Sequence, residues 1–272
     1  MLEPIIERAN ETLKINPGDY RGEDDLLYCG ICRTPKECYI TPPGTENTIA
    51  VPALCKCEQE KAAEAEEEKR RERYRKDCFS SPEQYNATFA NDKGYNPEKT
   101  KLGIAYVKRF DTARREGEGY VFYSACGMGK SHAAYQIANA LVDRLYRVKM
   151  WQFDELFNAA QMERDKNAFF RTLSQYDLVI LDDLGAEKKS DAMRSFVFTV
   201  IDTLYRSRTP FIITTNLTFE EITNPTDREM VRIYERILER CDLICFDRPE
   251  GSIRAQISKE RHNRKANPET KE

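Results

Sequence analysis

No stretch of this sequence approaches the ~18 consecutive apolar residues that a membrane-spanning helix needs. Its first residues, Met1-Leu2-Glu3-Pro4-Ile5-Ile6-Glu7, lack the basic and apolar regions of a secretory leader. No membrane contact is expected, and the default compartment is a reducing cytoplasm. An excess of one charge is also missing: 43 basic and 46 acidic side chains leave a net charge of −3. No global field draws the chain to nucleic acid, so any such contact must use a local patch. The nine cysteines are an odd number, which disfavours a fully paired disulfide framework. In a reducing compartment, clustered cysteines more often bind metal.

What the chain does carry is unevenly spread. Residues 1–57 hold five of the nine cysteines and several prolines, with six basic and nine acidic side chains. Residues 58–77 are charged at fifteen of twenty positions and contain no Gly or Pro. High helix propensity and Glu/Lys or Glu/Arg pairs three and four apart predict a helix there. Without a wide apolar stripe it reads as a solvated connector, with a partner-binding coiled coil as the alternative. From about residue 79, short β-branched and aromatic runs alternate with helical patterns, which predicts a parallel sheet with crossover helices. The candidate strands are 120–125, 148–153, 178–183, 211–216 and 243–246. The expected organisation is an N-terminal module over 1–57, a charged helical linker over 58–78 and one α/β domain over 79–272.

Ser124-Ala125-Cys126-Gly127-Met128-Gly129-Lys130-Ser131 follows a predicted strand. It precedes a helical stripe of Ala134, Ile137, Ala138, Leu141 and Leu145. That context is the one a phosphate-binding P-loop needs. Glycines let successive N–H groups face the phosphates, and the helix N-terminus adds partial positive charge. Lys130 would reach the β- and γ-phosphates of ATP and Ser131 would ligate Mg²⁺. The rest of the loop and His132 would line the nucleotide. Ser124 stands where the usual pattern has Gly, so a departure in loop geometry is expected. The alternative is a glycine turn with a surface lysine.

Leu178-Val179-Ile180-Leu181-Asp182-Asp183 reads as a central parallel strand ending in two carboxylates. Ligands bind at the carboxyl ends of such strands. Asp182 would join the Mg²⁺ shell and Asp183 would activate water. In Phe211-Ile212-Ile213-Thr214-Thr215-Asn216, Asn216 would sit beside Asp183 and hold the lytic water; an Asn-capped turn is the alternative. Arg228, Arg232, Arg236 and Arg240 form a helical stripe. It is either a salt-bridged face or the source of an arginine finger for a neighbouring subunit. Arg254 follows the last strand and could lie near the same phosphates. Arg254, Lys259, Arg261, Arg264 and Lys265, with Lys188 and Lys189, are either a track for a nucleic-acid backbone or a soluble surface.

Cys29-Gly-Ile-Cys32 and Cys55-Lys-Cys57 are two close pairs that could supply four thiolates to a tetrahedral Zn²⁺. An iron–sulfur site or a redox pair is the alternative. Gly30 is expected to permit the tight turn between the first two sulfurs, and Cys38 is a spare ligand. Cys241 and Cys245 lack a second pair and read as small core residues.

Several of these stretches carry a more specific likeness. The cysteine cluster, Asn86-Ala-Thr-Phe89-Ala-Asn-Asp92, Leu181-Asp-Asp-Leu-Gly-Ala-Glu187 and Ile213-Thr-Thr-Asn-Leu217 resemble the bacterial and phage helicase loaders of the DnaC/DnaI type. These sit beside the IstB-like transposition ATPases in the AAA+ superfamily, and the resemblance covers nearly the whole chain. It implies an AAA+ P-loop ATPase fold without a full helical lid, only 26 residues following the last predicted strand. By similarity, Asn216 matches sensor 1, Arg236 the arginine finger with Arg232 as runner-up, Arg254 sensor 2, and Phe89 the residue packed on the base. The implied function is DNA replication. The zinc module would bind the replicative hexameric helicase and the ATPase domain single-stranded DNA, with an ATP-dependent homo-oligomer timing loading and release. A transposition helper ATPase is the nearest rival, followed by a small-molecule kinase and a non-hydrolysing ATP-binding regulator.

Overall fold

The computed structural model describes residues 13–185, 191–225 and 227–266. The chain forms two compact units, one ending at Arg70 and the other beginning at Arg71.

The first unit is built from two short antiparallel pairs. Strand β1 (Tyr20–Arg21) pairs with β2 (Leu27–Tyr28), and β3 (Glu37–Ile40) with β4 (Ile49–Pro52). Strands this short bury little: Leu26, Leu27, Cys29 and Cys55 are the buried apolar residues among those described. So small a core needs a second source of stability. Helix α1 (Lys56–Cys78) starts two residues ahead of the charged run, which places Cys57 in its first turn. Residues 59–70 are all exposed. Pairs such as Glu72–Lys76 (3.2 Å) lie on its surface, where each adds a few tenths of a kcal/mol. Propensity, not burial, makes this stretch helical. Within the second unit Cys78 of this helix is buried in the core, and Tyr74 packs against it.

The second unit holds one parallel sheet. Its strands are β5 (Gly119–Tyr123), β6 (Val148–Gln152), β7 (Leu178–Leu184), β8 (Phe211–Thr215) and β9 (Cys241–Cys245), in the order β6-β7-β8-β5-β9. All five predicted strands form, with ends shifted by up to two residues. Alternation along the strands divides the core in two. Leu178, Ile180, Ile212 and Phe122 face one layer, with α3 (Pro97–Lys108) and α5 (Lys130–Asp143). Val179, Leu181, Ile213 and Val121 face the other, with α8 (Asp191–Ser207) and α10 (Arg228–Arg240). Covered on both faces, Leu178–Leu181 are entirely buried, and that is why the run is uniformly apolar. The remaining helices are α2 (Pro82–Asn86), α4 (Phe110–Glu116), α6 (Phe153–Met162), α7 (Lys166–Leu173), α9 (Phe219–Thr223) and α11 (Ile253–Ala266). Among the described residues, α11 is the single helix after β9, and no helix is long and apolar enough to cross a membrane.

Candidate functional site

Parallel strands end at the same edge, and β8 lies between β5 and β7. The strand order therefore gathers the loop after β5, the acidic end of β7 and the polar end of β8. The loop needs glycine at two points. Gly127 (φ 80°) and Gly129 (φ 93°) are left-handed, and a Cβ on Gly127 would also meet Ser252 Oγ at 2.3 Å. Ser124 is not left-handed. The expected departure in loop geometry there is not found, because the unusual angles fall on the glycines. Ser124 Oγ instead donates to Ala125 O at 3.1 Å.

Lys130 is buried in the first turn of α5. Its ammonium donates to Ser124 O, Ala125 O and Asn216 Oδ1, each at 2.9 Å. Burial pushes its pKa below the ordinary range, while nearby acidic groups, Asp183 and Asp182 among them, pull the other way. Asn216 Nδ2 donates to Asp183 Oδ1 at 2.8 Å. Lys130, Asn216 and Asp183 thus form one hydrogen-bonded chain, joining three of the sequence-derived candidates.

The acidic end of β7 is irregular. Leu181 pairs with Ile213 and Leu184 with Thr215, so two carboxylate residues oppose Thr214 alone. In this bulge Asp183 adopts φ 64°, a strained angle for a non-glycine residue. Asp182 is buried and accepts from Thr214 Oγ1 at 2.6 Å, and Tyr135 OH lies 3.4 Å from its other oxygen. Burial pushes the Tyr135 phenol up to about 12. Sequence reading missed Thr214 and Tyr135. The available signals were a hydroxyl two positions before Asn216 and a phenol one helical turn after Ser131.

The other candidates are dispersed around this centre. Ile253 N–H donates to Gly127 O at 2.9 Å, and Arg254 Cγ lies 3.5 Å from where a Gly127 Cβ would stand. The start of α11 therefore rests on the loop. Ser131 and Met128 are half-buried, and Cys126 and His132 are exposed. Phe89 packs in the same apolar layer as Met128, its ring 3.1 Å from where a Cβ on Gly103 would be.

The arginine stripe splits. Arg236 is held by its own chain, paired with Asp202 at 3.1 Å and stacked over Phe198 at 4.7 Å. Arg240 stacks on Tyr205 and donates to Glu116 O. Arg232 is exposed and makes no ion pair or hydrogen bond among the described residues. The Arg228, Arg264 and Lys265 side chains, and Lys188 and Lys189 altogether, lie outside the described residues.

In the first unit the sulfurs of Cys29, Cys32, Cys55 and Cys57 all lie within 4.8 Å of one another. Cys29–Cys57 is 3.7 Å and Cys55–Cys57 is 3.4 Å. A tetrahedral site with Zn–S of ~2.3 Å has sulfurs ~3.8 Å apart, so the four thiols fit a zinc-binding domain. Cys38 is exposed on β3 and is not part of the group. Gly30 acts differently from the expectation. The left-handed residue of the turn is Arg33 (φ 56°), while a Cβ on Gly30 would strike Gly18 O at 2.2 Å. The Thr34 hydroxyl lowers the Cys32 pKa to about 5, whereas burial pushes the Cys55 thiol up.

Behind the sulfurs lies a buried Lys36, 2% exposed. It pairs with Asp19 at 2.9 Å and Glu58 at 3.5 Å. Asp19 accepts the Gly30 N–H at 3.0 Å, and Glu58 accepts the Cys55 N–H at 3.3 Å. The backbone N–H groups of Asn16 and Gly30 hold the Asp19 carboxyl at about 2. One lysine thus ties the two halves of the cysteine centre together.

A five-stranded parallel sheet with this glycine loop and acidic strand end is the ATP-binding fold of the AAA+ group. Residues 88–260 match the family model of IstB-like ATP-binding proteins, and the chain belongs to that family. An insertion-sequence ATP-binding protein of Sinorhizobium fredii is 30% identical over 128 residues, covering 46% of this chain and 43% of that protein. The replicative helicase loader DnaC of Escherichia coli K12 is 24% identical over 143 residues, covering 51% and 54%. The chain thus spans about half the length of these curated relatives. A crystal structure of the DnaC helicase loader superimposes with a TM-score of 0.54 at 22% identity, over 61% of this chain and 100% of that one. At that identity the likeness is one of fold.

Proposed function

We propose that this protein is a switch-type ATPase that binds a replicative hexameric helicase and delivers it to single-stranded DNA. The observation that carries this reading is the pairing, in one chain, of a four-thiol module with an AAA+-type ATP-binding unit. The likeness to DnaC supports it. Residues 1–57 would hold zinc and engage the helicase, 58–78 would connect, and 79–272 would bind ATP and DNA. Exposed Lys259 and Arg261 on α11 are available to a phosphate backbone.

At the ATP site, Lys130 would leave its carbonyl partners for the β- and γ-phosphates. Ser131 and Asp182 would hold Mg²⁺, which supplies charge neutralisation at the phosphate oxygens. Asp183 would accept a proton from the attacking water, and Asn216 would orient that water. Arg254 would approach the same phosphates from α11. An arginine from a neighbouring copy would complete the site in an ATP-dependent oligomer. Arg236 would have to leave Asp202 to serve, and Arg232 would not.

Pull-down from host lysate with and without ATP tests the proposal. Retention of a hexameric helicase supports it; absence of helicase in every nucleotide condition overturns it. A second reading, an IstB-like transposition helper, is favoured by the family match and the Sinorhizobium relative. Capture of a transposase instead would establish it. A non-hydrolysing ATP-binding regulator would release phosphate no faster than its Lys130→Ala variant.

A further inference from the structure

We infer that Thr214 is a positioning residue that aims both carboxylates of the ATP site through a single hydroxyl. This rests on the ATPase reading above. In an unbroken parallel ladder, Asp182 and Asp183 would point to opposite faces of the sheet. The bulge after Leu181 removes that alternation, setting the two residues against Thr214 alone. The bulge costs a ladder bond at the Asp183 N–H, and the Thr214 hydroxyl replaces it, accepting at 2.9 Å. The same oxygen donates its proton to Asp182 Oδ1 at 2.6 Å.

A hydroxyl does both through one oxygen, because that atom is at once donor and acceptor. Thr214 is 1% exposed, so bulk solvent does not reach the two bonds. Its two bonds hold Asp182 in one rotamer and keep Asp183 at φ 64°, where its carboxylate meets Asn216 Nδ2 and through it Lys130. The strain at Asp183 therefore persists through the residue beneath it, not through its own sequence neighbours. Thr214 is buried, and its hydroxyl is engaged by the two aspartate residues. It acts through the two aspartates.

The test compares Thr214→Val, nearly isosteric but without the hydroxyl, with Thr214→Ser, which keeps it. Two quantities are read in the full-length protein: turnover of saturating ATP, and the gain in nucleotide affinity on adding Mg²⁺. We expect Thr214→Val to lose about ten- to hundredfold in kcat and most of the Mg²⁺-dependent gain. Its Mg²⁺-free nucleotide affinity stays near the parent's, and Thr214→Ser recovers both quantities. A general packing defect would instead lower Mg²⁺-free binding as well. Thr214→Ala carries the same test if Thr214→Val does not fold. Wild-type turnover and Mg²⁺ gain retained in a folded Thr214→Val protein would overturn the proposal. If the parent itself shows no turnover, the ATPase reading fails. The Mg²⁺ gain then judges Thr214 alone: lost in Val and kept in Ser supports the assignment, and equal in both overturns it.

Discussion

Lys130, in the first turn of α5, and Asn216, just past the end of β8, are hydrogen-bonded at 2.9 Å although 86 residues apart in sequence. Asn216 also donates to Asp183, so the lysine and the carboxylate are linked through one amide. Removing the amide should uncouple them without emptying the site. Asn216→Ala is expected to keep nucleotide binding and lower phosphate release by about tenfold or more. Lys130→Ala should instead weaken ATP binding itself, because a buried phosphate-facing charge is lost. Titration with a fluorescent nucleotide separates the two.

Asp183→Asn should bind ATP as the parent does and fail to hydrolyse it, since the amide cannot accept the water's proton. Single-turnover phosphate release checks this. Equal release by both proteins would remove Asp183 from the role of base.

Arg232 and Arg236 should separate by phenotype. Arg236→Ala removes an ion pair and a stacking contact within α8 and α10, and is expected to destabilise the ATPase unit by about 1–2 kcal/mol. Arg232→Ala should leave thermal stability within about 0.5 kcal/mol and lower hydrolysis only in the assembled oligomer. Loss of assembly-dependent turnover in Arg236→Ala, with Arg232→Ala active, would keep the finger at Arg236.

The cysteine centre should depend on backbone space and on a buried charge. Gly30→Ala forces a Cβ against Gly18 O and is expected to cost the first unit about 3 kcal/mol. Lys36→Met removes the cation between Asp19 and Glu58 and should weaken zinc retention by about ten- to hundredfold. Competition with a chromophoric chelator measures both. Absence of zinc from the reduced parent protein would remove the metal assignment.

Ser124→Gly should change ATP turnover by less than about twofold. The serine adopts no left-handed angle, so glycine relieves nothing there. A large rise in turnover would show that Ser124 restrains the site after all.

Much of this was legible along the chain. The apolar run before Asp182 announced a strand buried on both faces, and Gly127 and Gly129 announced a tight glycine loop after β5. These are local signals, set by periodicity and backbone freedom. The β7 bulge was not legible. Nothing in Leu-Asp-Asp-Leu marks it, because it exists only where β7 meets β8 out of step. Lys36 was equally invisible. A lysine between Pro35 and Glu37 reads as surface until Asp19 and Glu58, 17 and 22 residues away, close around it.

The sequence by itself determined the class of fold, the two cysteine pairs and the glycine loop after β5. Hydrophobic period, glycine placement and ligand spacing act over a few residues and need no partner. Tertiary structure alone decided which of those residues meet. Placing β8 between β5 and β7 put Asn216 within reach of both Lys130 and Asp183, and packing α10 on α8 engaged Arg236 while leaving Arg232 exposed. Those outcomes depend on strand order and helix packing, which are contacts between segments far apart in the chain, and no local pattern encodes them.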